Sequence, residues 1–438
     1  MDPRLGEQLE EAETYSLPSS RLRASWMLGE TTTPQVGMHN AEIPSPRGFV
    51  LGGSSSIKVT GDSDWSWDNV RIYFRRNEKW TAPADGHDTT GQYDPSIHST
   101  TGVTSFSLSG YHQALGPMVF QAGQELGGVF DFKLDYNDGR PLGLGIWLQA
   151  AIDGARRSSA ATSYLGPQFV NRPYLHVLVV EYTQDVVNGP LSTISASKEV
   201  LAAGVIGTPQ ILLNSGIGDS SYLSSIGITP LVNLPSVGRN LTDQPTTGCL
   251  WSVRSDADTF DPVFQDENVL DSAMAEWDND GTGPLATELA DLGVPSGVNC
   301  AAGPNMPHLE MAIGTGFVSP APPPGKWLTV STNLVSATSR DSVTLDTTGG
   351  LNAFRAPHID PAFYTTDWDI KAMREAVKAA KRFVSAPVFQ NYVIEALGSL
   401  ATADTDEEIE EYIRSNSGTT ARSVGIASMS PRCTQWVL

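Results

Sequence analysis

From Lys198 to Gly218 the chain reads as a strand, a glycine turn and then a helix, with Thr208 expected as the helix cap, Pro209 as its first position and Gly216 closing it. A strand feeding directly into a helix puts the chain in a mixed α and β class. The helix N-terminus facing the strand end is an anion-ready element, although units of this kind also serve as plain scaffolding.

The rest of the chain supports the mixed class. Short β-rich runs at Leu175–Val180, Thr329–Val335 and Ser342–Leu345 alternate with turn clusters. A helix is expected from about Trp368 to Ser385, because Ile370, Met373, Val377, Ala380 and Phe383 recur at three- and four-residue steps after a capping Asp367. A second begins near Asp404 and Thr405, continues through Ile409, Tyr412 and Ile413, and ends by Gly418. No repeat period emerges. At 438 residues the chain exceeds what one hydrophobic core usually serves, so two domains or one elaborate domain are expected.

Charge and cysteine content narrow the function classes. A formal charge of -21 repels phosphate backbones and anionic lipid surfaces, so neither nucleic acid nor membrane is an expected partner. No apolar run approaches the ~20 residues of a membrane span, and Met1 to Ser20 is acidic without the apolar stretch of a secretory signal. Cys249, Cys300 and Cys433 allow at most one disulfide and match no zinc spacing, so no metal centre is expected.

A second anion-ready element lies at Pro46–Ile57. Gly52 and Gly53 let the backbone approach a ligand, while Ser54, Ser55 and Ser56 add hydroxyl donors suited to a pyrophosphate. A surface turn has the same composition.

Together, in this order and spacing, the two elements resemble the two signature motifs of the glucose-methanol-choline (GMC) oxidoreductase family. Trp65–Asn69, Ala155–Ser159, Val237–Asp243, Ser339–Leu345 and Pro357–Pro361 resemble further family landmarks. The similarity runs from about Trp26 to Trp436 and is nearest to the fungal aryl-alcohol oxidases. It implies a Rossmann-like FAD domain, incomplete here, interleaved with an antiparallel-sheet substrate domain, an α/β plus α+β chain. Mapped by the resemblance, 41–60, 155–250 and 404–438 fall to the FAD domain, and 64–150 and 251–400 to the substrate domain. It further implies FAD held by Gly52, Gly53, Ser54, Ser55, Thr183, Ala203, Gly204, Thr208 and Asp243, and a small-molecule alcohol as substrate. In such enzymes a histidine takes the alcohol proton and the flavin takes the hydride. Similar members are often secreted.

Several positions depart from the family pattern. No G-x-G-x-x-G run occurs, the nearest being Gly143-Leu-Gly145 and Gly216-Ile-Gly218, and Met1 to Ser25 has no strand that matches the family's opening one. After Ile57 the chain passes straight into Thr60-Gly61-Asp62, as an internal deletion would leave it. Thr183 stands for a valine and Gln244 for a histidine. Arg422 occupies the place of the base histidine, and a guanidinium has no lone pair with which to accept a proton. The chain ends at Leu438, ahead of the family's second active-site His or Asn. His176, His308 and His358 are expected to be structural. Two functions stay open: an FAD-dependent oxidoreductase acting on the CH–OH group of aryl alcohols, and a non-catalytic remnant that does not hold FAD.

Overall fold

The computed structural model of the chain describes residues 27–28, 30–45, 47–48, 67–138, 140–145, 149–154, 156–164, 201–280, 282–286, 290–294, 307–316 and 323–427. Gly52, Gly53, Ser54, Ser55, Thr183, Cys300, Cys433 and the strand expected at Leu175–Val180 lie outside the described residues.

The architecture centres on a seven-stranded antiparallel sheet: β1 (Gly143–Leu144), β2 (Pro245–Val253), β3 (Ala290–Val294), β4 (Leu309–Thr315), β5 (Trp327–Leu334), β6 (Val393–Ala396) and β7 (Ser417–Thr419). In space the order is β6-β2-β5-β4-β3-β1, with β7 also paired to β2. β2 alternates strictly between buried and half-buried positions, the period-two pattern of a strand with one face in a core. It spans residue 250, where the resemblance puts a domain boundary. β6 and β7 share one edge of β2, with Trp251 opposite Ala396 and Thr246 opposite Gly418.

Four helices matter most: α1 (Leu115–Leu126), α2 (Gly204–Asn214), α3 (Asp367–Val384) and α4 (Asp406–Asn416). α3 lies on β5 and β4, and the expected apolar stripe is its buried face: Ile370, Met373, Val377, Ala380 and Phe383 join Val330, Leu328 and Met311 in the main core. Thr366, not Asp367, caps it. Thr366 has extended backbone angles (φ -106°, ψ 144°) and its hydroxyl accepts from Asp369 N, so Asp367 is already the first helical residue. The buried Asp369 carboxylate accepts from Thr338 N and Oγ1 at 2.7 and 2.8 Å and from Ser339 N at 2.9 Å, tying the helix start to the loop that follows β5. α4 opens with a reciprocal Thr405–Glu408 capping box and packs on α3 and β2.

A smaller antiparallel sheet joins Arg239–Leu241, Asp341–Thr344 and His358–Asp360. α2 seats Ile206 against its Leu241, Val343 and Ile359. α2 begins at Gly204, five residues before the expected first position, so Thr208 and Pro209 lie inside the helix rather than at its start. Gly204 supplies the turn with φ +78°, a conformation that costs glycine little, and the fixed φ of Pro209 is itself helical. Among the described residues, no helix is long and apolar enough to cross a membrane.

Candidate functional site

The resemblance sets Arg422 and Asp243 in the site, and the fold brings them together. The short strand Arg239–Leu241 carries the chain into Thr242, whose N–H and C=O pair with Val424. This bridge lays Thr419–Val424 alongside Thr242–Gln244. Asp243 is 4% exposed. Its Oδ2 accepts from Thr419 Oγ1 and Ser423 Oγ, both at 2.7 Å, and its Oδ1 from Gln244 N at 2.8 Å. An acid this buried needs such donors, because an uncompensated carboxylate away from water is strongly disfavoured. Asp243 thereby fixes the loop that presents residue 422. Thr420 adds two bonds to Gln244 O, and Ala421 takes φ +57° with its N–H on Thr419 Oγ1.

Arg422 is half exposed and pairs with Glu310 on β4, Nη1 lying 2.9 Å from Glu310 Oε2. The same nitrogen donates to Gln244 Oε1 at 3.3 Å. Glu310 Oε1 accepts from Asn333 Nδ2 at 3.1 Å, and Gln244 Nε2 donates to Val335 O at 3.1 Å. Asn333 Oδ1 is buried with no hydrogen-bond partner among the described residues. Sequence reasoning missed Glu310 and Asn333 as members of this group, since only the pairing of β4 with β5, which sets Glu310 opposite Asn333, brings them to Arg422.

His308 precedes β4, and its carbonyl accepts from Val335 and Ser336 N–H. Its Nδ1 lies 2.6 Å from Ser336 Oγ and its ring meets Trp368 edge-on. Burial pushes its pKa down, favouring the neutral ring. These contacts agree with the structural role expected for it. His358 sits in the smaller sheet, exposed at its side chain and 3.7 Å from Asp346.

Two groups of described residues offer polar atoms of the kind that a bound cofactor would need. At the start of α2, Ala203 and Gly204 are exposed, and among the described residues no side chain caps the helix and nothing lies within 4 Å of where a Gly204 Cβ would be. Open backbone N–H groups at a helix start fit an anionic group. In the second group Arg422, Gln244 and Asn333 Oδ1, which has no hydrogen-bond partner among the described residues, fit polar atoms of a bound molecule. Cys249 takes no part there; it is buried in β2 and its thiol is pushed up to about 12 by desolvation.

Comparison with known proteins adds to this geometry. Residues 176–246 match the N-terminal model, and residues 337–438 the C-terminal model, of a family described as GMC oxidoreductase. A dehydrogenase of Hericium erinaceus is 32% identical over 94% of this chain and 77% of its own length. A pyranose dehydrogenase of Agaricus campestris is 31% identical, over 97% of this chain and 78% of its own. The solved structure of a fungal aryl-alcohol oxidase superposes with a TM-score of 0.75 at 20% identity, covering 98% of this chain and 88% of that one, and so shares the fold.

Proposed function

The chain belongs to the GMC oxidoreductase family, a family of FAD-dependent enzymes, and from that premise we propose that its substrate class is the CH–OH group of an alcohol or sugar and that the Arg422–Glu310 ion pair suppresses its turnover. The pyranose dehydrogenase relative favours a sugar hydroxyl at least as much as an aryl alcohol. FAD, when bound, supplies the acceptor for the alcohol's hydride. Ala203, Gly204 and Thr208 on the α2 side, with Gly52, Gly53, Ser54, Ser55 and Thr183, are the residues proposed to hold it.

What the residues around Arg422 do follows from their bonds. Arg422 donates and cannot accept, so the proton that must leave the alcohol oxygen finds no lone pair there. Both carboxylate oxygens of Glu310 are engaged, one by Arg422 and one by Asn333. Gln244 orients Arg422 while held by the Val335 carbonyl. Asp243 acts at a distance, holding the 419–424 loop through Thr419 and Ser423. The set can bind and orient a hydroxyl, but it lacks the general base that contributes about 10²–10⁴-fold in such reactions.

The ion pair carries this reading, and it equally favours a non-catalytic member. Purified protein discriminates the two. Visible flavin absorbance, with FAD released on denaturation, marks a holoprotein of suppressed activity; a folded, colourless protein that stays colourless with added FAD marks the non-catalytic form. Oxidation of an aryl alcohol or a pyranose at a rate typical of flavin oxidoreductases would remove the suppression from either account.

A further inference from the structure

Far from Arg422 in the sequence, the strands Glu78–Trp80 and Thr104–Leu108 pair in parallel, with Trp80 opposite Phe106. The chains leaving their C-terminal ends therefore emerge side by side. Gly110 sets how closely they approach, since a Cβ there would lie 2.8 Å from the Ala84 Cβ. Gly86, at φ +65° and bonded back to Pro83 O, turns the chain between Asp85 and His87. Three side chains converge as a result: one ligand atom each from Asp85, His87 and His112 lie within 4.8 Å of one another.

We propose that Asp85, His87 and His112 form a binding site for a divalent transition-metal ion of the Zn²⁺ class, which staples the 81–92 loop to the 109–112 turn. Two imidazoles and a carboxylate are the donor set such ions favour, with water completing the shell, whereas Mg²⁺ and Ca²⁺ demand more oxygens. The two imidazoles meet edge to face, with centroids 4.5 Å apart and ring planes at 67°, rather than stacking flat.

The group around His87 is arranged as the outer support of a metal ligand. Gln92 Nε2 donates to Asp88 O at 3.1 Å, which fixes the direction of its amide. Its Oε1 therefore faces His87 Nε2, 2.9 Å away, and receives that N–H. With Gln92 Oε1 taking the Nε2 proton, the 2.6 Å contact of Nδ1 with Asp85 Oδ1 is a second N–H···O bond, and a metal ion bound at Nδ1 takes the place of that proton. A cation held between them and His112 needs only a small opening of this contact. Ligating histidines commonly hold their second nitrogen in this way, and losing that support typically costs 10–100-fold in affinity.

The test is calorimetric titration of the full-length protein, freed of metal with a chelator, using Zn²⁺ alone, with Co²⁺ as a spectroscopic probe. One equivalent of Zn²⁺ is expected to bind, Mg²⁺ is expected to give no competing heat, and Co²⁺ is expected to develop visible ligand-field bands. Asp85→Asn and His112→Ala, both at exposed positions, should weaken Zn²⁺ by about tenfold or more with an unchanged circular dichroism spectrum, and Gln92→Leu by about tenfold. Gly110→Ala, which forces the two loops apart, should weaken it without touching a ligand. The proposal is overturned if the native protein takes up no Zn²⁺, or if its Zn²⁺ stoichiometry and affinity persist in both Asp85→Asn and His112→Ala.

Discussion

Arg422 shows how far a single side chain can be understood from sequence. The resemblance placed it at the base position, and elementary chemistry says what a guanidinium cannot do there. Its partners needed the fold, because Glu310 is 112 residues away. Arg422→His is expected not to restore aryl-alcohol oxidation by itself. It supplies an acceptor, but it strands Glu310 beside Asn333, and the chain has no G-x-G-x-x-G run to seat the dinucleotide. Steady-state turnover with added FAD checks this, and a rise of two orders of magnitude would contradict it. His98 went unnoticed in the sequence because its two acids, at 78 and 135, are gathered only by tertiary structure. It is 9% exposed and bonds Glu78 Oε1 at 2.6 Å and Asp135 Oδ2 at 3.0 Å. Burial opposes its charge, but the hydrogen bonds to Asp135 and Glu78 outweigh that and push its pKa up to about 9. A raised folded-state value stabilises fully below the unfolded value of about 6.5 and is lost as pH climbs through the folded one. The melting temperature should fall across that window, and His98→Gln should flatten the fall while costing about 3 kcal/mol at neutral pH. A native melting temperature that holds level to pH ~10 would contradict this.

Elements were legible wherever their periodicity was long. The α3 stripe and the β5 run stand where the pattern put them, within a residue or two at each end. Starts were less legible. Thr208 and Pro209 carry strong cap signals, yet the turn at Gly204 begins α2 earlier, and a proline tolerated inside a helix looks the same in sequence as one that opens it. The α3 start offers the sharpest test of an element, because Asp369 is fully buried and three donors depend on it. Asp369→Ala should cost about 3 kcal/mol in denaturant unfolding, since two backbone N–H groups lose their acceptor together. A loss under about 0.5 kcal/mol, within the range of neutral surface changes, would show that water replaces the carboxylate freely.

Across the whole molecule, the family and the antiparallel sheet were visible in motif order and strand pattern, whereas the pairing order β6-β2-β5-β4-β3-β1 was not, because it joins segments far apart in the chain. The acidic excess also acts at this scale. A net charge of -21 repels itself in the compact state, so raising salt from about 20 mM to about 0.3 M should increase the melting temperature by a few degrees through screening. A flat or falling response would mean that local ion pairs, such as Arg374 with Asp406 and Glu410, outweigh the global repulsion. The shared edge of β2 has a further consequence, for the order in which the chain is made. Thr247 meets Ser417 across 170 residues, and Ser252 meets Glu395 across 143. On the ribosome, β2 therefore emerges long before either partner and waits with its edge unpaired. A strand left open along its edge for that interval invites pairing with a neighbouring nascent chain, so the yield of folded protein should depend on chaperone supply and on the pace of translation downstream of β2.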